Sequence, residues 1–422
     1  MNDPTKKESY HTAWMLILLL WLVYTTSYLG KLNYSANITQ IIDSYGITKA
    51  QAGIVPTFFF FAYGIGQVFN GLLCNKYNLK WMIFISLFVS GLINLFIAIT
   101  TEFWLVKWLW MINGFVLSIL WPSIMRILSD SLPQKYLGTS SVFLGSTVPI
   151  GTLLIYGLSA VYALFDNFKL AFYTAAFCDI IVSVVWLSIY TKSVMYAKAE
   201  KESEEKDIQI NTATAKSETS NIYHKNNIIF LTVYIVCFFV VGVNLTKDGL
   251  MTWVPSILKE EFALSDSLSI LLTLFLPILA IFGNAWAVTL HKKIPDYVTH
   301  SALLFAIIGI FIGFIIGSLK FELASLMLVG LIAANFLATS LNSLITSIFP
   351  LYMRDKLNSG RLAGIINGFA YLGSTISSYG LGIIADNFGW NGVFITLLIF
   401  CALVMLVWTG YLIFKRCSKN ED

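Results

Sequence analysis

Two lysines stand where an apolar chain should hold none. Lys31 lies in "YTTSYLGKLNYSAN", residues 24–37, late in an apolar run that begins at Trp14. Lys247 lies in "VNLTKDGLMTW", late in a second run that begins near Ile228. The offsets from those starts are 17 and 19 residues, so two helices would carry a cation at matched depth. A charge at membrane depth costs a few kcal/mol and marks a functional site by default. One such lysine is readily explained by its stem reaching out to the membrane surface. Two at matched depth point instead to an anion held between them. Tyr24 and Tyr28 accompany Lys31, and Asn244 and Asp248 accompany Lys247. Asp248 is either a counter-ion to one lysine or a carboxyl that carries a proton. Asp179, in "AFCDIIVS", is the second proton-coupling candidate. Arg126 and Asp130 are four apart, the spacing of a helical ion pair, and are read as a gate element.

The elements that must position these residues follow from composition. The 422 residues are 57% hydrophobic and 12% charged, with mean hydropathy +0.75. A soluble domain is about 25% charged, so the bilayer is the expected solvent. Spans of about 20 apolar residues are needed to cross it. Twelve are read, at roughly 13–36, 53–75, 81–100, 103–129, 137–163, 170–190, 227–257, 268–290, 299–318, 323–352, 361–385 and 391–414. With the N-terminus in the cytoplasm, 20 of the 27 Lys and Arg residues fall on the cytoplasmic side and four on the outer side. That asymmetry sets the orientation, with both termini inside. The only long polar segment, 191–226, reads as a cytoplasmic linker with room for a short helix near 196–208. It divides two six-helix bundles, 1–190 and 227–422. "LGST" recurs at 144–147 and 372–375, at equivalent places in the two halves, which suggests duplicated repeats. The fold expected is an all-α polytopic membrane protein with twelve transmembrane helices in two pseudo-symmetric halves. Trp121 is followed by Pro122, which would kink span four or place the indole in a cavity. Asn335 and the other span asparagines fit interhelical hydrogen bonds.

Several function classes are disfavoured. The five cysteines form no metal or disulfide pattern, no GxxxxGK[ST] loop cradles a phosphate, and the four histidines all lie in or beside cytoplasmic loops. No enzyme, cofactor, metal site or nucleic-acid footprint is expected. The expected partners are a small anionic substrate and the lipid of an inner or plasma membrane, with the chain acting as a monomer.

"SYLGKLNYSANI", "GLLCNKYNLKW", "ILWPSIMR", "KDGLMTWVPSIL" and "FAYLGSTISSYGLGIIADNFGWNGVF" together resemble the major facilitator superfamily. Within it they resemble the organophosphate:phosphate antiporters, over about 14–190 and 227–414. The resemblance implies that Lys31 and Lys247 occupy the two arginine positions that grip a substrate phosphate. It implies cavity-lining roles for Tyr24, Tyr28, Tyr63, Trp121 and Tyr371. It also implies gating roles for Asn75, Lys76 and Lys80 in the loop after span two. The departures are that both arginines are lysines, a histidine position reads Val148, a lysine position reads Gln67, and two acidic positions read Thr252 and Pro277.

The function expected is secondary active transport of a small organic anion, an organophosphate or a sugar acid, by rocking-switch alternating access and anion exchange. The candidate substrate-binding set is Lys31, Lys247, Tyr24, Tyr28, Tyr63, Gln67, Trp121, Asn244, Asn335 and Tyr371. A proton-coupled carboxylate symporter is the alternative within the class. A membrane sensor that binds ligand without transport is the alternative outside it.

Overall fold

In lipid every backbone N–H and C=O must be satisfied within the segment, so apolar runs of this length become helices. The computed structural model of the chain describes residues 4–73, 77–211, 226–353 and 359–420, and helices dominate them. The first half contains α1 (Pro4–Ala36), α2 (Ile38–Tyr45), α3 (Lys49–Leu73), α4 (Leu79–Ile99), α5 (Phe103–Leu117), α6 (Leu120–Ser131), α7 (Gln134–Gly145), α8 (Thr147–Ala163) and α9 (Lys169–Asn211). The second contains α10 (Asn226–Phe262), α11 (Asp266–Thr273), α12 (Phe275–Ala280), α13 (Gly283–His291), α14 (Tyr297–Lys320), α15 (Ala324–Ser343), a π-helical turn Leu344–Ile348, α16 (Phe349–Tyr352) and α17 (Ser359–Asn420).

Proline explains several of the breaks within spans. A proline inside a helix removes the donor to the carbonyl four residues back and clashes with it. Pro122 sits four beyond Ser118, where α5 gives way to α6. Pro149 sits four beyond Gly145, where α7 ends, and Pro277 four beyond Thr273, where α11 ends. Pro350 sits four beyond Thr346, inside the π-helical turn. Pro56 and Pro255 lie within unbroken helices. Their freed carbonyls, Ala52 and Met251, instead accept the hydroxyls of Tyr34 and Tyr156, each at 2.9 Å.

Ten helical runs among the described residues are long and apolar enough to cross a membrane. The last of them, Leu362–Arg416, has 55 residues. At about 1.5 Å per residue that is far longer than a bilayer of about 30 Å. It is a hairpin. Gly389, at φ 66° and ψ −176°, interrupts α17 in a conformation open in practice only to glycine. Gly373 before it and Phe400 after it then meet adjacent residues of α10, Val241 and Gly242. The expected eighth span, 268–290, is present as α11, α12 and α13 in succession. The twelve expected crossings are thereby accounted for.

In the first half α1 packs on α4, α8 and α9, and α3 on α5. In the second α10 packs on α15 and α17, and α14 on α15 and α17. The halves meet where α3 lies along α17 and α8 along α11. Many large apolar side chains remain exposed, among them Phe177, Ile310, Trp104 and Leu406, as a lipid-facing surface requires. The helix expected near 196–208 is the distal part of α9, which runs on without a break from the sixth span. The polar segment therefore begins as a packed helix. Lys135 pairs with Glu200 at 2.9 Å, and the Tyr136 hydroxyl donates to Glu200 at 3.1 Å. Lys201 donates to the Ser129 and Asp130 carbonyls.

Candidate functional site

The two lysines come from the two halves and differ in their surroundings. The Lys31 ammonium lies 4.2 Å from the ring centroid of Tyr63, 5.1 Å from that of Tyr28 and 5.9 Å from that of Phe59. Aromatic faces attract a cation, each by roughly 0.5–2 kcal/mol depending on desolvation. They do not cancel its charge. Among the described residues no carboxylate reaches Lys31 at ion-pair distance. Lys247 is 2.8 Å from Oδ1 of Asp248, and Oδ2 of Asp248 accepts the Ser374 hydroxyl from α17. Two bare cations facing each other is therefore not the arrangement found. Neighbouring positions on a helix point apart, but the four-carbon lysine stem folds across to the adjacent carboxylate. One cation is bare and the other is neutralised by the adjacent carboxylate. Asp248 remains within electrostatic range of Tyr371 in its own half and of Lys31 across the boundary between halves.

Aromatic side chains join these groups. Tyr24 lies 5.4 Å from Tyr28 and 5.1 Å from Trp121, and Tyr63 lies 4.9 Å from Tyr371 of the other half. Gln67 donates to the Tyr63 hydroxyl at 3.3 Å. Lys31, Tyr24, Tyr28, Tyr63, Gln67, Trp121 and Tyr371 thus form one connected group that meets the Lys247–Asp248–Ser374 set. The two asparagines are engaged elsewhere. Asn244 donates to the Val240 carbonyl and to Asn342, and Asn335 is buried and donates to the Leu276 carbonyl. Both hold helices of the second half together.

The backbone at Lys31 is fixed from its other side. The Gly30 carbonyl accepts the Asn113 carboxamide at 2.8 Å and that of Asn94 at 3.5 Å. A side chain at Gly30 would sit 2.6 Å from Asp179 Oδ2. Asp179 is 0% exposed, accepts the Ser90 hydroxyl at 2.8 Å, and has no described partner for its second oxygen. It lies on the α4–α9 side of α1, inside the first half.

The bonds between the halves gather at the end of the bundle where α3 begins. Lys49 pairs with Glu260 at 2.9 Å, and Glu260 also accepts the Trp390 indole. Asp386 accepts the Lys49 and Ala50 amides at 3.0 and 2.7 Å, so a carboxylate of the second half caps the positive end of α3. Lys259 reaches Asp43 and Asp266, Ser267 donates to the Ala160 carbonyl, and Tyr156 to the Met251 carbonyl. At the opposite, lysine-rich end Lys80 donates to Thr191 at 3.0 Å and Arg126 pairs with Asp130 at 3.2 Å, both inside the first half. Asn75 and Lys76 lie outside the described residues. Ser374, Phe59 and the Lys49–Glu260–Asp386 latch were not anticipated as functional. Only Ser374 had a signal, its place in the repeated "LGST". Its counterpart Ser146 accepts the Trp21 indole of α1, so each serine bonds the first span of its own half.

The family model described as Major Facilitator Superfamily matches residues 20–359. A "Probable hexose phosphate transport protein" of Chlamydia trachomatis serovar D is 23% identical over 440 residues, covering 96% of this chain and 92% of that one. The "Hexuronate transporter" of Bacillus subtilis is 22% identical, covering 96% of this chain and 97% of that one. Among solved structures, a D-xylose-proton symporter superposes with a TM-score of 0.70 at 12% identity, over 95% of this chain and 97% of that chain.

Proposed function

This chain belongs to the Major Facilitator Superfamily and is a multi-pass membrane transporter, not an enzyme; we propose that it carries a small organic anion, a sugar phosphate or sugar acid, by rocking-switch exchange. The observation that carries this reading is Lys31, a bare cation held among aromatic faces at the boundary between halves. Transporters of a hexose phosphate and of a hexuronate are both similar to the chain along nearly its whole length, which supports that cargo class.

The lysine-rich end lies in the cytoplasm by the positive-inside rule, with both termini there. The latched end then faces outward, and the protein is in an inward-facing state. The site binds the anion with Lys31 and Lys247, while the hydroxyls of Tyr24, Tyr28, Tyr63 and Tyr371 and the Gln67 carboxamide bond its hydroxylated body. Trp121 walls the site. Asn244 and Asn335 support it through the second-half helices. Alternating access breaks the outer latch and closes the cytoplasmic end, where Asn75, Lys76, Lys80, Arg126 and Asp130 are the first-half gate candidates. The chain works as a monomer.

Exchange follows from the bare charge. An empty site must carry Lys31 unneutralised through the occluded state, whereas an anion on each stroke removes that cost, so bound ligand shifts the equilibrium and emptiness stalls it. An acid inside the site, Asp248, favours proton coupling as the second reading, with Asp179 behind it. Purified protein in vesicles separates the two. Exchange requires internal anion for uptake and ignores an imposed pH gradient. Gradient-driven uptake into empty vesicles would replace exchange with symport, and binding without counterflow would make the protein a sensor.

A further inference from the structure

We propose that the site takes its cargo as a single negative charge, a carboxylate on a hydroxylated body, and rejects the doubly charged form of a phosphate ester. The inference rests on the transport reading above and narrows it by charge.

The mid-depth charges can be summed. Lys31 contributes one positive charge, with no carboxylate at ion-pair distance among the described residues. Lys247 and Asp248 cancel at 2.8 Å, and the other oxygen of Asp248 is occupied by Ser374. The remaining charged groups on the helices around them are turned elsewhere. Asp179 is enclosed against Ser90, Lys107 lies over Trp108, and Arg126 is paired with Asp130. Lys49 and Asp386 belong to the latch at the far end. The set facing an incoming anion therefore carries a net charge of one.

A monoanion closes that sum. A dianion leaves one negative charge uncompensated in a site of low dielectric, where an unpaired charge is expensive. Geometry points the same way. Both cations are ammonium groups, which act as points and lack the paired donors with which a guanidinium grips phosphate oxygens. Lys31 can direct one ammonium at one carboxylate, while the surrounding tyrosine hydroxyls serve the neutral part of the molecule.

The test compares glucuronate with glucose 6-phosphate on the purified full-length protein. The two share a ring and differ at its sixth carbon. Binding is read by thermal stabilisation, since a ligand specific for the folded state raises its stability by mass action. Between about pH 7.5 and about pH 5.5 the ester passes its second ionisation near 6, and its singly charged share grows about twenty-five-fold. We expect ester affinity to rise by about that factor as pH falls. Glucuronate stays singly charged throughout and should change by less than about twofold. Ester binding that is as tight or tighter at the higher pH overturns the proposal. Charge variants give an independent reading. Asp248→Asn raises the net charge to two and should reverse the preference toward the dianion. Lys247→Gln combined with Asp248→Asn restores a net charge of one and should restore the preference for glucuronate. A ranking of the two probes that ignores both changes overturns the charge argument but leaves transport standing. A folded protein that binds neither probe at either pH overturns the anion-transport reading as well.

Discussion

The hydroxyl of Tyr156, on α8, donates at 2.9 Å to the carbonyl of Met251, on α10, in the other half of the molecule. That carbonyl is free because Pro255, four residues on, has no N–H to offer it. The bond replaces a helical hydrogen bond with one that spans the boundary between halves, so the proline that weakens α10 also creates a docking point. Tyr34 and Ala52 form the same arrangement with Pro56, entirely inside the first half.

Tyr156→Phe should therefore weaken the state latched at the α3 end by the worth of one hydrogen bond, about 0.5–1.5 kcal/mol. Spin-label distances across that end should shift toward longer separations. Tyr34→Phe should lower thermal stability by a similar amount and leave those distances alone. Equal effects of the two substitutions on the distances would separate the Tyr156 bond from gating.

Gly53 offers a steric version of the same experiment. A Cβ there would lie 2.3 Å from the Ser378 carbonyl oxygen of α17, a backbone atom that cannot rotate away. Gly53→Ala should push the halves apart at the latched end more than Tyr156→Phe does. Cysteine labelling at that end should accelerate while the folded fraction holds. Unchanged labelling would mean that α3 and α17 can separate locally without opening the latch.

The two lysines should behave differently. Lys31→Gln removes a bare charge, so thermal stability should hold while anion binding falls by about 1.5–3 kcal/mol, roughly ten- to a hundredfold. Lys247→Gln leaves Asp248 without its cation, and stability should fall with binding, because a partly buried charge stripped of its partner is costly. The double change with Asp248→Asn should recover the stability. Scanning calorimetry of the three variants decides the matter, and identical unfolding curves would contradict the pairing.

The polar segment after the sixth span should divide in function. Replacing 202–218 with a Gly/Ser linker of equal length should leave uptake within about twofold, because its composition cannot bury a core. Glu200→Ala should instead lower the unfolding temperature. It removes the acceptor of both Lys135 and Tyr136, and a charged hydrogen bond of that kind is worth about 1.5–3 kcal/mol. A neutral Glu200→Ala would show that the end of α9 docks without these bonds.

Much of this architecture is local in origin and was open to reading along the chain. Hydropathy sets the spans, because a helix must match the bilayer within its own length. Every helix break at Ser118, Gly145 and Thr273 is written four residues later as a proline. Of these breaks only the one before Pro122 was anticipated, and at Pro56 and Pro255 the chain stays helical because a tyrosine from another helix satisfies the carbonyl. The depth of Lys31 and Lys247 also follows from counting residues along their helices. Their states of charge do not. Asp248 stands beside Lys247 in the chain, but which of the two lysines it neutralises depends on where side chains point once the helices pack. The latch is further from reach still. Asp386 meets Lys49 across 337 residues of chain, and Tyr63 meets Tyr371 across 308, so neither partner carries a local mark of the other. Such contacts join residues far apart in the chain, and the physics that decides them is complementarity of surfaces that only the packed helices present.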